Sequence, residues 1–282
     1  MTDRTPLYQA EHSARYDRQK LISEYEALTD ARLIVVIDQI QPTNMTILEE
    51  LLVGCDVSKG LHVLLASPGG DGETALRMVR AMQQRCSELT VIVPDMAKSA
   101  ATILCLGAHH ILMGPGGDLG PIDPQMIRRD DRGAVFAVSA KEIVAAVDEA
   151  EQRVTNNPDS YALFASLLSE VNMLMVEQAR AALARSAALM KEALGANEER
   201  DATAVADLIA VLQAPLIEAP TSHSAVISAD DGIRLGLPVA KAEVDGEQWR
   251  LIWSLWTRYF ALGCWPAGTQ AIYEGVRASH AG

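Results

Sequence analysis

Apolar segments that alternate with helix-forming segments constrain the fold of this chain more than any other feature. Residues 31–40, 61–67 and 89–95 are apolar almost throughout, and each is followed by a segment whose apolar side chains have helical spacing. Strands that are apolar on both faces are typical of parallel sheets covered by helices on each side. The pattern therefore predicts the α/β class with a mostly parallel sheet.

The same pattern divides the chain into four segments. We expect an amino-terminal helical arm over residues 1–30, an α/β core over 31–139, and a helical extension over 140–213. Residues 214–282, which hold most of the aromatic side chains, are expected to pack on the core or on a neighbouring subunit. The apolar stripes of the extension exceed what a monomer leaves in water, so we also expect a homo-oligomer.

The charge balance limits the classes of partner. The 282 residues carry a formal net charge of −13, with an isoelectric point of about 4.9. Nonspecific electrostatic binding to nucleic acid or to an anionic membrane is therefore unfavourable. The amino terminus lacks the apolar core of a signal peptide, and no later stretch is typical of a membrane span. We expect a soluble, cytoplasmic protein with no nucleic-acid partner and no membrane insertion.

The cysteines give no sign of a metal site or a disulfide framework. Cys55, Cys86, Cys105 and Cys264 lie far apart in the chain and lack the spacing of ligand pairs. Such cysteines are typical of reduced thiols in a cytosolic protein. No metal and no other cofactor is expected.

A glycine turn follows the second apolar segment. Ser67, Pro68, Gly69 and Gly70 come directly before a segment with helical spacing. Glycines after a strand let the backbone turn outward with free N–H groups, and the start of the next helix adds the positive end of its dipole. Such a turn can form an oxyanion hole, and it can equally be a tight turn with no binding role.

Ser99 follows the third apolar segment, at the start of a predicted helix. Loops that follow neighbouring parallel strands meet at one edge of the sheet, so Ser99 is expected near Gly69 and Gly70. Its hydroxyl could attack a carbonyl group whose developing negative charge lies near the amides of Gly69, Gly70 and Ala100. The alternative is an N-cap, the commonest use of serine at a helix start.

Three segments resemble a known family. SPGGDGE (residues 67–73), MAKSAATILCLGAHHILMGPGGDLGPIDPQ (96–125) and RYDRQKLISEYE (15–26) together resemble the serine dehydrogenase proteinase family. That family is related to the Clp proteolytic subunit and to signal peptide peptidase A. The resemblance implies a ClpP/crotonase-like fold, a serine nucleophile at Ser99, and oxyanion donors at the turn of Gly69 and Gly70.

A serine nucleophile needs a base, and the resemblance leaves its identity open. The histidine of the Clp branch has no counterpart, because residues 122–124 are Ile-Asp-Pro. Signal peptide peptidase A uses a Ser–Lys dyad, and on that resemblance Lys141 takes the place of the lysine that follows Ser99. Its apolar neighbours favour the neutral amine that a base requires. The alternative is a solvated lysine paired with Glu142 or Asp148.

Other polar residues in the same segments have competing interpretations. Lys98 is expected to point away from the neighbouring serine and to contact the backbone or an acid. Asp123 stands roughly where the Clp histidine would be, but a carboxylate between isoleucine and proline commonly forms a turn. His223 is either a distant partner of the site or a capping or subunit-contact residue. His109 and His110 are interpreted as ordinary strand-start residues.

Together these features favour an ATP-independent serine peptidase whose substrate is a peptide or an unfolded protein. An extended peptide would pair beside the strand that ends at Ser67. Two other classes stay open. A noncatalytic oligomeric scaffold agrees with the missing Clp triad. A crotonase-type enzyme acting on acyl-CoA shares the fold but is disfavoured by the negative charge and the lack of a basic patch.

Overall fold

Helices and strands alternate through most of the computed structural model, which describes residues 5–129, 133–220, 222 and 224–282. The helices are α1 (Pro6–Glu11), α2 (Ser13–Thr29), α3 (Asn44–Leu52), α4 (Gly72–Gln83), α5 (Ala100–Leu106), α6 (Ala140–Asn156), α7 (Tyr161–Leu167), α8 (Met173–Leu194), α9 (Ala202–Gln213), α10 (Ala229–Arg234) and α11 (Glu247–Ala261). The strands are β1 (Arg32–Ile37), β2 (Gly60–Ala66), β3 (Glu88–Val93), β4 (Met96–Ala97), β5 (His110–Met113), β6 (Asp118–Leu119), β7 (Gln125–Arg129), β8 (Val135–Ser139), β9 (Ile227–Ser228), β10 (Val239–Lys241), β11 (Ile272–Glu274) and β12 (Ser279–Ala281).

A central sheet has the strand order β10-β5-β3-β2-β1-β11-β12. The first five strands are mutually parallel, and β11 and β12 are antiparallel additions at one edge. The register aligns Ile34, Val63, Val91 and Ile111 in one row across four neighbouring strands. The predicted α/β class with a mostly parallel sheet is confirmed.

Both faces of the sheet are covered, which explains why its central strands are apolar throughout. In β1, Ile34 and Val36 pack with α3, α4 and α5, whereas Leu33, Val35 and Ile37 pack with α2 and α11 on the opposite face. The carboxy-terminal half of α8 and α9 also lie on the first face. Full burial of each such side chain contributes about 1.5–3 kcal/mol.

The carboxy-terminal segment supplies part of the sheet itself. We expected residues 214–282 to pack on the core or on a neighbouring subunit, but β10, β11 and β12 all pair within the central sheet. Each of these strands has only three residues. A run of three residues is too short to show a strand period, so the pattern did not predict them.

A buried ion pair joins the two ends of the chain. The Glu274 carboxylate on β11 is fully buried and accepts hydrogen bonds from Arg18 Nε (2.7 Å) and Nη2 (3.1 Å) on α2. It also accepts a hydrogen bond from the Tyr259 hydroxyl on α11, at 2.8 Å. Since a buried charge is tolerated only when it is paired and hydrogen-bonded, these contacts fix α2 and α11 against the edge of the sheet.

A smaller unit lies beside the core and forms one wall of the cavity described below. The hairpin of β7 and β8 packs with α6 and the first half of α8 around a separate cluster of buried residues, which contains Ala140, Ile143, Met175, Val176 and Ala179. Within the described ranges, no helix combines the length and the apolarity needed to cross a bilayer.

Candidate active site

Ser99 lies between β4 and α5, with its backbone in a conformation that L-residues seldom adopt. Its φ is +51° and its ψ is −115°. The hydroxyl makes no capping hydrogen bond to α5, and it contacts no acceptor or donor elsewhere in the described part of the chain. The alternative interpretation as an N-cap is therefore not supported. A strained backbone that holds a free, half-buried hydroxyl is typical of functional positions.

Two loops that follow neighbouring strands are joined by backbone hydrogen bonds. Ser67 N–H donates to Met96 O (3.1 Å), and Lys98 N–H donates to Ser67 O (3.0 Å). This pairing brings Gly69 so close to Ser99 that a β-carbon on Gly69 would lie 2.6 Å from Ser99 Cβ. Only glycine fits there, because its φ of +104° also excludes other residues.

Gly70 is held with its amide free. Ile40 N–H donates to Gly69 O (2.8 Å), and Asp71 N–H donates to Ile40 O (2.8 Å). Alternate peptide groups of an extended segment point in opposite directions, so the N–H of Gly70 faces away from Ile40. This amide donates to no acceptor among residues 5–129, 133–220, 222 and 224–282.

The other two amides of the expected oxyanion hole differ from each other. The N–H of Ala100 is the first of helix α5 and has no intrahelical acceptor, and no other described group accepts from it. The N–H of Gly69, in contrast, donates to Ser67 Oγ at 3.1 Å. The free donors beside Ser99 are therefore those of Gly70 and Ala100, whereas Gly69 shapes the turn.

Ser99, Gly70 and Ala100 line one cavity of about 560 Å³. Its apolar wall includes Ile103, Ile122 and Leu189, and these three side chains come from three separate parts of the chain. The arrangement offers a polar strip next to a surface that suits an aliphatic side chain.

An ion pair closes the rim of this cavity. Arg185 on α8 donates two hydrogen bonds to the Glu73 carboxylate on α4, at 2.5 and 2.7 Å, and a third to Glu192 at 2.7 Å. These hydrogen bonds from Arg185 lower the pKa of Glu73. The positive charge of Arg185 at the rim is therefore balanced by the carboxylates of Glu73 and Glu192.

Lys98 points away from Ser99, as predicted. Its ammonium pairs with the Asp118 carboxylate at 2.8 Å and donates to Leu119 O (3.2 Å) and Ala225 O (3.3 Å). Thr102 adds hydrogen bonds from its hydroxyl to the backbone of the same loops. These contacts fix the segment before Ser99, and they direct the Lys98 ammonium away from the Ser99 hydroxyl.

Lys141 is the second residue of α6 and lies next to the cavity without lining it. The N–H of Ala140 donates to Pro124 O at 2.9 Å, and Pro124 is a cavity residue. The Lys141 ammonium donates to the carbonyl of Pro220. It therefore pairs with neither of the acids, Glu142 and Asp148, that the alternative interpretation named.

Asp123 is buried between two residues that line the cavity. Its carboxylate is 3% exposed and accepts a hydrogen bond from Gln125 Nε2 at 2.9 Å. Its neighbours Ile122 and Pro124 both line the cavity of Ser99. Asp123 thus stays a second candidate for the base, whereas His223 lies outside the described residues.

The adjacent histidines have structural contacts, as predicted for residues at a strand start. His109 accepts the N–H of Leu89 on its Nδ1 at 2.9 Å, and burial lowers the pKa of its imidazole. His110 lies on β5 and pairs with Glu88 at 2.7 Å. Neither histidine lines the cavity of Ser99.

The residues of the candidate site lie within a segment that matches a known protein family. Residues 47–155 match the family of ClpP-like SDH-type serine proteinases. The matched segment contains the glycine turn, Ser99 and Lys141, and it confirms the resemblance predicted from the sequence. It supports a serine peptidase in general.

Curated relatives match over short stretches only. The uncharacterized protein MJ0137 of Methanocaldococcus jannaschii is 33% identical over 91 residues, which is 32% of this chain and 32% of that protein. The uncharacterized protein MJ1495 of the same organism is 29% identical over 66 residues, or 23% of each chain. The chain thus spans about a third or less of the curated relatives that it matches.

Two solved structures of the 1510-N membrane-bound stomatin-specific protease are also similar. One is a lysine-to-alanine mutant in complex with a substrate peptide, at 22% identity and a TM-score of 0.32, covering 41% of this chain and 55% of that chain. The other is a serine-to-alanine mutant, at 20% identity and a TM-score of 0.33, covering 44% of this chain and 61% of that chain.

Proposed function

We propose that this protein is a serine peptidase in which Ser99 is the nucleophile and the amides of Gly70 and Ala100 form the oxyanion hole. One observation carries the proposal: a hydroxyl without a hydrogen-bond partner in the described chain lies in one cavity with two amides that also donate to no described acceptor. Preorganised donors of this kind are strongest where charge develops in a transition state. The thiols of the four free cysteines suit a cytoplasmic location.

The proposed reaction has two steps. Ser99 Oγ attacks the peptide carbonyl carbon while its proton moves to the base, and the carbonyl oxygen becomes an anion held by Gly70 and Ala100. The anion collapses, the C–N bond breaks, and the base returns the proton to the departing amine. A water molecule then attacks the ester on Ser99 while the base takes its proton. The C–O bond to Ser99 breaks, the base returns the proton to Ser99 Oγ, and the carboxylic acid is released.

We assign the base to Lys141. Lys141 directly follows Ala140, whose N–H donates a hydrogen bond to the carbonyl of Pro124 in the cavity wall. To accept the proton of Ser99, the Lys141 amine must be neutral and must leave the Pro220 carbonyl. We propose that the bound peptide displaces the Lys141 amine from the Pro220 carbonyl toward Ser99. Asp123 is the alternative base.

Lys141→Met should lower kcat for an unfolded, dye-labelled protein by about 100- to 10,000-fold, because proton transfer from Ser99 is lost. Lys141→Arg should be equally inactive, since arginine can still donate to Pro220 but cannot act as a base. Lys20→Met, which removes an exposed lysine, is the control and should leave the rate unchanged. Retained activity in Lys141→Arg, together with loss in Asp123→Asn, would move the assignment to Asp123.

We propose that the substrate is an extended peptide or an unfolded protein and that hydrolysis needs no ATP. An extended segment would lie along residues 67–71 and pair with backbone groups there. The wall of Ile103, Ile122 and Leu189 would receive an apolar side chain next to the bond that is cut.

We also propose that the protein acts as a homo-oligomer. Large apolar side chains are exposed on α7 and at the start of α8: Tyr161, Leu163, Leu167, Met173 and Leu174 are 59–69% exposed. Several large apolar side chains exposed within one segment favour an interface. Size-exclusion chromatography with light scattering should give a multiple of 30.4 kDa at micromolar concentration. A monomer mass would refute the assembly and leave the peptidase proposal standing.

One observation favours a second candidate, a noncatalytic scaffold. The Lys141 ammonium contacts the Pro220 carbonyl instead of the Ser99 hydroxyl. If this contact is permanent, no lysine takes the proton, and the fold serves assembly alone. The Lys141 variants separate the two functions, because a scaffold shows no hydrolysis to lose.

A further inference from the structure

A second cavity, of about 630 Å³, lies on the opposite face of the sheet from Ser99. Its walls are the loop after β3, with Pro94 and Asp95, the loop after β5, and three tryptophans of α11. It shares no lining residue with the cavity of Ser99. The proposed peptidase reaction does not use it.

Tryptophan rings form the apolar wall of this cavity. Trp249 and Trp253 stack with their ring centroids 6.3 Å apart at an interplanar angle of 28°. Trp249 is buried against Gly114, where a β-carbon would lie only 2.4 Å from the indole ring, so its position is fixed. Trp253 is 49% exposed at the cavity mouth, and Trp256 is buried. The cavity is thus lined by aromatic rings, whose faces carry negative π-density.

The acidic group of the cavity is the Asp95 carboxylate. Asp95 makes no ion pair and no side-chain hydrogen bond with any part of the chain that the structure describes. The Lys98 ammonium pairs with Asp118, and its positive charge also acts on Asp95. Burial and the negative charge of Asp118 raise the pKa of Asp95.

Arg250 is the basic residue among those that line the cavity, and its guanidinium is hydrogen-bonded to the backbone. The guanidinium of Arg250 donates two hydrogen bonds to the carbonyl of Asp245, at 2.8 and 3.2 Å. The described contacts of Arg250 are therefore with this backbone carbonyl and include no ion pair with Asp95. The chain as a whole carries a formal net charge of −13, which adds to the negative potential.

We propose that this cavity binds a small organic amine in its ammonium form. The apolar body of the ligand would lie against the indole rings, and the ammonium group would pair with Asp95. Aromatic faces attract cations, and a hydrogen-bonded pair of opposite charges is strong when it is partly desolvated. The volume suits a ligand of ordinary small-molecule size.

Isothermal titration calorimetry with 2-phenylethylammonium tests the proposal, with neutral 2-phenylethanol as the matched ligand. We expect saturable binding of the amine, at least about tenfold tighter than that of the alcohol. Asp95→Asn should weaken binding of the amine by about tenfold and leave the alcohol unchanged. Asp56→Asn, which removes an exposed carboxylate elsewhere, is the control and should change neither affinity.

Two further variants separate the aromatic and electrostatic contributions. Trp253→Ala, at a half-exposed position, should weaken both ligands by about threefold or more. Arg250→Gln removes a cation from the same cavity and should leave amine binding equal or tighter. The proposal fails if the amine does not saturate, if both ligands bind equally, or if Asp95→Asn and Asp56→Asn have the same effect. A flat titration of an oligomer would indicate that a second copy covers the cavity, and it too would overturn the proposal.

Discussion

Ser99→Ala should lower the rate of peptide hydrolysis by about 1,000-fold or more, because it removes the hydroxyl that attacks the carbonyl in the proposed reaction. The matched control is Ser87→Ala, which removes an exposed serine that precedes β3. The control should retain the rate of the parent. Hydrolysis of the dye-labelled unfolded protein, measured for equal amounts of folded protein, provides the comparison.

The backbone of Ser99 adds a second readout to this experiment. Because φ at Ser99 is +51°, alanine there stays strained, whereas glycine adopts this conformation readily. Ser99→Gly should therefore be as inactive as Ser99→Ala but more stable, by about 1 kcal/mol. Thermal unfolding of the two variants measures the difference. Activity in either variant would exclude Ser99 as the nucleophile, and equal stability would exclude the strain.

Gly70→Ala should be the most damaging change in the oxyanion turn. A β-carbon at this position would lie 2.1 Å from the carbonyl oxygen of Ile40, and φ is +141°. The backbone must shift to relieve this overlap, so the Gly70 amide moves away from the developing anion. Loss of one oxyanion donor costs about 100- to 1,000-fold in kcat.

A glycine that also has a positive φ but no steric overlap provides the control for Gly70→Ala. Gly263 has a φ of +78°, and a β-carbon there would meet nothing within 4 Å. Gly263→Ala should lower the stability by about 1 kcal/mol and leave kcat unchanged. If Gly70→Ala folds and cleaves like Gly263→Ala, the turn does not hold the oxyanion.

The parts of the fold that the sequence predicts are those with long, regular patterns. The central strands are apolar on both sides because they face helices on both sides, so they are easily recognised. The meeting of Gly69 with Ser99 follows from the same rule, since parallel strands bring their following loops to one edge. The direction of Lys98 follows from the alternation of side chains in an extended segment.

The parts that the sequence does not predict depend on contacts between distant segments. Arg185 and Leu189 reach the cavity of Ser99 because α8 crosses that face of the sheet, and helical periodicity carries no such information. The hairpin of β7 and β8 has exposed side chains on both faces, such as Ile127 and Phe136, and thus lacks a strand period.

The role of each amide in the glycine turn is likewise set by local geometry. The sequence predicts three candidate oxyanion donors, the amides of Gly69, Gly70 and Ala100. In the structure the Gly69 N–H donates to Ser67 Oγ, a hydrogen bond that depends on the backbone conformation of the turn. The contact of Lys141 with Pro220 joins residues far apart in the chain. The identity of the general base depends on such contacts. Residue spacing alone therefore suggests a candidate base but does not identify the base.

The central claim is that Ser99 Oγ attacks a carbonyl whose oxygen is received by the amides of Gly70 and Ala100. A crystal structure with a peptide boronate tests it most directly, because the boron atom takes the tetrahedral geometry of the attacked carbon. We expect a bond from boron to Ser99 Oγ, with one boronate oxygen about 2.7–3.1 Å from both amide nitrogens. A boronate attached to another residue, or an oxygen that faces neither amide, would contradict it.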